Sequence, residues 1–339
     1  HEVQPDSDEG NEAGMVAAAR RLLAESNSAK CVDFDDLIYL PVLNAIPLPR
    51  FALVFVDECQ DLSPVQIALL RKVVKPGGRI VAVGDHNQAI YGFRGADSDS
   101  MRRLRDAFEC KPLPLTITYR CAARVVDYAL SFGNVEAAPG APEGEVKTLG
   151  TWRMADLPAE AMVLCRTTAP LLKLAYKMMA ARIPCHVMGR DIGSGLVGLI
   201  NKLQPKGIEG LREKLAAWRD REVSKAEARD NDALAASVQD KYECIMVLVD
   251  ALPENERTVP ALCRLIETMF AGTAGVTLSS IHKAKGLEAD TVVWLERSKC
   301  PSKWAKQAWQ QDTERCLCFV AATRAKRALW LAELDDLAQ

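Results

Sequence analysis

The chain alternates short, wholly apolar runs with stretches whose apolar residues recur at helical spacing. Phe51 to Val56 (FALVFV) is continuous, β-rich, and closes on Asp57-Glu58-Cys59-Gln60-Asp61. Arg79 to Val83 follows a Pro76-Gly77-Gly78 turn and closes on Gly84-Asp85-His86-Asn87-Gln88. Between them, Val65 to Val74 has the periodicity of a helix. Strand, helix, strand, with polar groups at both strand ends, predicts a parallel α/β unit with strands at 51–57 and 79–83. The second half repeats this logic, with strands predicted at 161–165, 184–188, 275–280, 291–295 and 328–331. A helix is predicted at 169–182 and mostly helical structure over 196–270.

The remaining segments fill in the frame. Residues 1–12 are acidic and are expected to pack poorly. Met15 to Glu25 predicts a helix, and Val32 to Leu43 a helical segment with a capping acid, broken at Pro41. A charged helix is expected at 96–109, a short strand at 115–118, a helix at 122–132 and a polar helix at 304–315. Trp218 to Asp232 mixes both charge signs, as a solvated helix face does. Ala137 to Gly144 (AAPGAPEG) is the best linker candidate. The expected division is therefore 1–136 and 137–339, with a helical insertion at about 190–274.

Composition narrows the class. The chain has 339 residues, 49% hydrophobic and 26% charged, enough for two packed domains. The formal net charge of -2 gives no global attraction for nucleic acid, so any such binding needs a local groove. No apolar run reaches the roughly 18 residues of a membrane span, and no signal peptide is visible. Eleven cysteines without a CxxC pair read as reduced, buried thiols of a cytoplasmic protein.

Chemistry enters at the strand ends. In open parallel sheets, ligands bind beyond the carboxyl ends of the strands. Asp57 and Glu58 stand there as paired acids. One carboxylate can hold Mg²⁺ while its neighbour orients or deprotonates an attacking water.

Six segments in order, VDECQD, GDHNQAIYGFRGA, LTITYR, MVLCRTTA, VTLSSIHKAKGLEAD and FVAATRAK, closely resemble the UvrD/PcrA/Rep branch of superfamily 1 helicases. The resemblance implies an α/β fold of two RecA-like P-loop NTPase domains with parallel sheets, the first incomplete here and the second carrying the helical insertion. ATP would bind between them and single-stranded DNA would cross both. It implies that Asp57 holds Mg²⁺, that Glu58 acts on the hydrolytic water, and that Gln60 and Gln88 sense the terminal phosphate. Arg94 would contact the acidic pair or phosphate, Tyr119 would stack on adenine, and Arg120 would bind phosphate. Glu288 would bind the ribose beside Gly286, and Arg324 would be the arginine finger. Tyr91 and Phe93 resemble aromatics on which bases stack. Thr277, Ser279, Ser280 and His282 lie where the family contacts DNA or links DNA to ATP, and Arg166 matches a coupling or DNA-contact arginine.

Two departures qualify the resemblance. The family's phosphate loop, GxxxxGK[ST], does not occur in the sequence. It lies ahead of the acidic motif in the family, so truncation upstream is the expectation, and these residues alone should hydrolyse ATP poorly. The insertion is also compact, which argues against a large swivelling subdomain. The expected activity is ATP-dependent movement on single-stranded DNA or single/double-strand junctions, 3′ to 5′ as the family implies. The alternative is a non-hydrolysing helicase-like subunit that binds DNA or gates a partner nuclease in a repair or defence complex.

Overall fold

A computed structural model of the protein describes residues 12–29, 31–92, 99–228 and 231–338. The acidic stretch before residue 12, and Phe93 and Arg94, lie outside the described residues. The chain divides into two compact units, 1–114 and 115–339.

The first unit contains α1 (Glu12–Ser28), α2 (Asp36–Leu43), β1 (Phe51–Val56), α3 (Pro64–Val73), β2 (Val74–Ala82) and α4 (Ser100–Phe108). β1 and β2 pair in parallel, Leu53 with Arg79 through Val56 with Ala82. The pairing starts earlier than Arg79 because Phe51 also meets Val74, across an irregularity. α3 begins where the sequence supplies a complete start signal. Ser63 caps it, with the Gln66 N–H donating to Ser63 Oγ at 3.4 Å and the Ser63 N–H to Gln66 Oε1 at 2.7 Å, and Pro64 follows. Cys59, Ile67 and Leu104 form the core, with Val56, Leu70, Ile80 and Phe108 packed around them. Along β1, Phe51, Leu53 and Phe55 remain exposed.

The expectation of a break at Pro41 is corrected. α2 runs through Pro41 to Leu43. The proline removes one N–H close to the end of a short helix, and its own carbonyl is satisfied by Lys72 Nζ from α3 at 2.7 Å.

The second unit contains β3 (Ile117–Thr118), α5 (Ala123–Ala129), β4 (Glu136–Ala137), β5 (Glu145–Thr148), β6 (Met162–Cys165), α6 (Ala169–Ala180) and β7 (Cys185–Val187). Then come α7 (Arg190–Leu203), α8 (Gly207–Glu227), α9 (Asp232–Ala251), α10 (Val259–Ala271), β8 (Val276–Ser280), β9 (Ala289–Leu295), α11 (Ala308–Thr323) and β10 (Ala325–Ala332). Among the described residues its main sheet has six strands in the order β5-β10-β9-β6-β8-β7, with every pairing parallel. β6 is buried at all of its positions, as a strand covered on both faces must be. The fold class is thus the expected α/β architecture with parallel sheets.

The division between units falls ahead of the expected linker, for a physical reason. α5 is bound to the second unit through its backbone. The Ala122 N–H donates to Lys326 O at 2.8 Å, Ala123 to Pro142 O at 2.8 Å and Arg124 to Glu143 O at 2.9 Å. Val125, Val126 and Ala129 are buried. Pro142 to Gly144 is therefore part of the packing rather than a tether. Gly144 has φ +69°, and a Cβ there would lie 2.3 Å from Ala122 Cβ and 2.7 Å from Arg327 O.

The helices between β7 and β8 share their core with the sheet. Leu211, Leu215, Ile245, Leu248 and Val249 pack in one cluster with Leu171, Leu174 and Met178 of α6 and Val163 of β6. Asp240 of α9 also caps α6, accepting from Thr168 N–H at 2.9 Å and Ala169 N–H at 3.2 Å. Among the described residues, the charged surface after Trp218 holds pairs with at least one solvent-exposed member, such as Lys225–Glu222, worth little each. Its last residue departs from the expectation: Asp232 is buried and accepts from Lys306 Nζ at 3.2 Å. Among the described residues, no helix is long and apolar enough to cross a membrane.

Burial pushes the Asp240 carboxyl up, partly offset by the backbone N–H groups it accepts from. A carboxyl raised in the folded state loses stabilising value as pH rises, so its neutral isostere should fit well. Asp240→Ala is expected to lower unfolding free energy by about 2 kcal/mol in denaturant titrations. Asp240→Asn should recover much of that loss, more at pH 8 than at pH 5.

Candidate functional site

In the first unit, the ends of β1 and β2 are joined by one hydrogen-bonded chain. Gln60 Nε2 donates to Glu58 Oε2 in a short bond, and Gln60 Oε1 accepts from the Asp85 N–H at 3.0 Å. Asp85 Oδ2 accepts from Gln88 Nε2 at 2.9 Å, and Oδ1 from Asn87 N–H at 2.9 Å. Asp57 Oδ1 accepts from Glu58 N–H at 2.9 Å. Asp57 and Glu58 are exposed, whereas Gln60 is buried.

The local backbone forces this arrangement. Glu58 has φ +50°, a left-handed conformation that costs a non-glycine residue on the order of 1 kcal/mol. The bend is fixed on both sides. The Cys59 N–H donates to Val83 O at 3.0 Å, and Ser100 Oγ bridges Cys59 O and Gln60 O at 3.1 and 2.8 Å. Gly84 is required here because a Cβ would lie 2.5 Å from Gln60 Oε1 and 2.7 Å from Cys59 Sγ.

In the second unit, a different set gathers at the amino ends of β9 and β10. Glu288 bridges Arg120 Nε at 2.7 Å and Lys326 Nζ at 2.8 Å. The Lys326 hydrogen bond, helped by the Arg120 charge, holds the Glu288 carboxyl below its usual range. Tyr119 is 85% exposed beside this cluster in sequence. Gly286 has φ +85° and open space where a Cβ would be. Arg324 caps α11 and is buried, donating from Nε to Val320 O and from Nη1 to Leu287 O, each at 3.1 Å.

Arg166 lies at the other end of that sheet, after β6. Glu314 of α11 accepts from its Nε at 2.9 and 3.0 Å and from Nη2 at 2.6 Å. Glu314 also accepts from Ser302 N–H at 2.8 Å. Along α11, Glu314 and Arg324 are separated by about 15 Å of helix, so Arg166 and Arg324 do not form one cluster.

The DNA candidates are dispersed. Tyr91 and His282 are half-buried. Thr277 Oγ1 lies 3.5 Å from His186 Nε2 of the neighbouring strand. Ser279 is buried within β8, a strand with neighbours on both sides, and donates to Ser280 O at 3.1 Å. Sequence reasoning passed over Asp85, Ser100, Glu314 and Lys326. The signal for Asp85 was present, since an acid at the end of the second strand mirrors Asp57. Glu314 gave no such signal within a mixed polar run.

Comparison with known proteins agrees with the motif order. The UvrD/REP helicase N-terminal domain model matches residues 2–109, and the UvrD-like helicase C-terminal domain model matches residues 208–335. The ATP-dependent DNA helicase UvrD2 of Mycobacterium bovis is 26% identical over 395 aligned positions, covering 97% of this chain and 55% of the relative. F-box DNA helicase protein 1 of Schizosaccharomyces pombe is 25% identical over 327 positions, covering 86% and 35%. DNA helicase II of Haemophilus influenzae is 31% identical over 80 positions, covering 24% and 11%. The chain belongs to the UvrD/Rep-like family of superfamily 1 helicases, and it spans about half the length of the UvrD2 relative it matches.

The Arg166–Glu314 pair is the most deeply placed ion pair of the site, with Glu314 5% and Arg166 22% exposed at the side chain. Glu314→Ala leaves the guanidinium and the Ser302 N–H without their acceptor. It is expected to cost roughly 3 kcal/mol of unfolding free energy. An Arg166→Met/Glu314→Leu double variant should cost less than Glu314→Ala alone, measured by chemical denaturation.

Proposed function

We propose that these residues belong to an ATP-dependent translocase or helicase that moves on single-stranded DNA, 3′ to 5′ by family likeness. The observation that carries this reading is the chain Glu58–Gln60–Asp85–Gln88 at the carboxyl ends of two adjacent parallel strands. Glu58, a carboxylate able to polarise water, accepts from the Gln60 amide, whose oxygen takes the Asp85 N–H, and the Asp85 carboxylate accepts in turn from the Gln88 amide. The half-buried Gln88 amide can donate to a phosphate oxygen, and through Asp85 a change there reaches the buried Gln60 and Glu58 at the first strand end.

Mg²⁺ fits the donor set at Asp57. Among the described residues no group of three or more His, Cys, Asp or Glu converges as a metal site. Magnesium, however, is commonly held by one or two carboxylates together with substrate phosphates and water. Asp57 keeps Oδ2 for that purpose while Oδ1 accepts from Glu58 N–H. The ion would supply positive charge to the phosphoryl oxygens.

Tyr119 would offer its exposed ring to the base, Glu288 its carboxylate to the ribose, and Arg120 and Arg324 their guanidinium charge to the phosphates. For Arg324 this requires exchanging the carbonyls of Leu287 and Val320 for phosphate oxygen. Since GxxxxGK[ST] is not in the sequence, turnover should depend on a phosphate loop contributed from outside these residues. That same fact favours a second reading, a helicase-like subunit that binds DNA without hydrolysis.

The test joins these residues to a phosphate loop and measures ATP turnover with and without single-stranded DNA. DNA-stimulated hydrolysis is expected, with Glu58→Gln and Arg324→Ala each reducing it at least 10³-fold, on the order of an arginine-finger effect. DNA affinity should change little and should fall steeply with salt. Unchanged turnover in either variant would refute the roles assigned. No stimulated turnover in the parent would favour the non-hydrolysing subunit.

A further inference from the structure

Cys300 and Cys318 are given no role above, and among the described residues their sulfurs are in direct contact beside the Arg166–Glu314 pair. Cys300 follows the turn after β9, and Cys318 is on α11. Their sulfurs are 3.4 Å apart and both side chains are buried. The backbone around Cys300 is held from several directions. Arg297 stacks on Trp294 at 4.4 Å and on Phe132 at 5.3 Å, and its Nε donates to Tyr128 Oη at 3.2 Å. Arg297 Nη1 donates to Cys300 O, and Ser302 N–H donates to Glu314. Cys300 Sγ lies 3.7 Å from Glu314 Oε2. The two sulfurs are thus held in van der Waals contact by fixed neighbours on both segments.

We propose that Cys300 and Cys318 form a peroxide-responsive disulfide that ties the turn after β9 to α11. Bond formation needs the sulfurs to close from contact to about 2.05 Å, within reach of side-chain rotation when the backbones are already adjacent. Cys318 is the attacking sulfur. Contact with the Cys300 sulfur and the charge of Arg297 hold its thiol below the usual range, while Cys300 is pushed up by the same contact and by burial.

The Cys318 thiolate attacks one peroxide oxygen. The S–O bond forms, the O–O bond breaks and hydroxide leaves, taking a proton to become water. The Cys300 sulfur then attacks the sulfenic sulfur, losing its proton, and the S–O bond breaks with release of a second water. Two thiols are oxidised by two electrons and one hydrogen peroxide is reduced to two waters. The resulting bond joins the Arg166–Glu314 end of α11 to the loop that follows β9. α11 ends at Arg324, so the cross-link fixes the helix that presents it.

The test treats the full chain with a few-fold excess of hydrogen peroxide, blocks free thiols with N-ethylmaleimide, and maps tryptic peptides without reduction. Cleavage after Lys299, Lys303, Arg315 and Arg324 places Cys300 in CPSK and Cys318 with Cys316 in CLCFVAATR. The expected result is a disulfide between these two peptides in most chains, reversed by dithiothreitol and retained in Cys316→Ser. Three results would each overturn the proposal: both peptides fully alkylated while other cysteines are oxidised, a link lost in Cys316→Ser, or Cys318 carried to sulfinic acid without a partner.

Discussion

The Gln60 carboxamide is the contact on which the candidate site of the first unit depends. It is buried, and each of its polar atoms is committed, the nitrogen to Glu58 and the oxygen to the Asp85 N–H. That double use dictates what surrounds it. Glu58 must turn into the left-handed region for its carboxylate to return over Gln60. Residue 84 must lack a side chain for the second strand end to approach. Ser100 must supply a hydroxyl to the carbonyls of the bend. A buried amide left half-satisfied costs about 1–3 kcal/mol, so the arrangement is held together as a set. Any ligand that draws the Glu58 carboxylate outward disturbs the Asp85 end through the same amide.

In the second unit, α11 plays the corresponding part. Its first turns hold Glu314, which gathers Arg166 and the Ser302 N–H, and its end holds Arg324. Nearly every residue between is buried. The helix runs opposite to the parallel strands on either side of it in sequence, so the two arginines come to opposite ends of the sheet. Glu288 and Lys326 stand on the amino ends of β9 and β10, not beyond carboxyl ends as in the first unit. The helices between β7 and β8 are fused into the same core, and Asp240 reaches across to cap α6. This suits a firm platform rather than a swivelling arm.

Much of this was legible in the sequence where periodicity and punctuation agree. Ser63-Pro64 with Gln66 marks α3, and the unbroken MVLC run marks a strand buried on both faces. The family motifs also lead directly to the residues that line the strand ends. What escaped was set by long-range packing. β5 is a short, mixed-polarity strand (EVKT) that exists because β10 offers it an edge. The Pro- and Gly-rich segment before it has linker composition, but its carbonyls accept from α5. Pro41 sits close enough to the end of α2 for the helix to run through it, and its carbonyl accepts from Ile46 N–H and from Lys72 Nζ, a partner thirty-one residues away. Ser279 matches a DNA-contact position of the family, and its burial, shared with Leu278 on the other face, comes from the cover on both sides of the sheet. Arg166 was open between coupling and structure, and only its partner, remote in sequence, shows how firmly it is held.

The account stands on the amides of Gln60 and Gln88 acting as one device through Asp85. The direct measurement is turnover of Gln60→Ala, Gln88→Ala and the double variant, in a polypeptide that also carries the phosphate loop. If the two act as a unit, the double variant should be no slower than the worse single variant, as for groups whose effects are strongly non-additive. Losses that multiply, so that the double variant is slower by the product of the two single effects, would show two independent contacts and contradict the account.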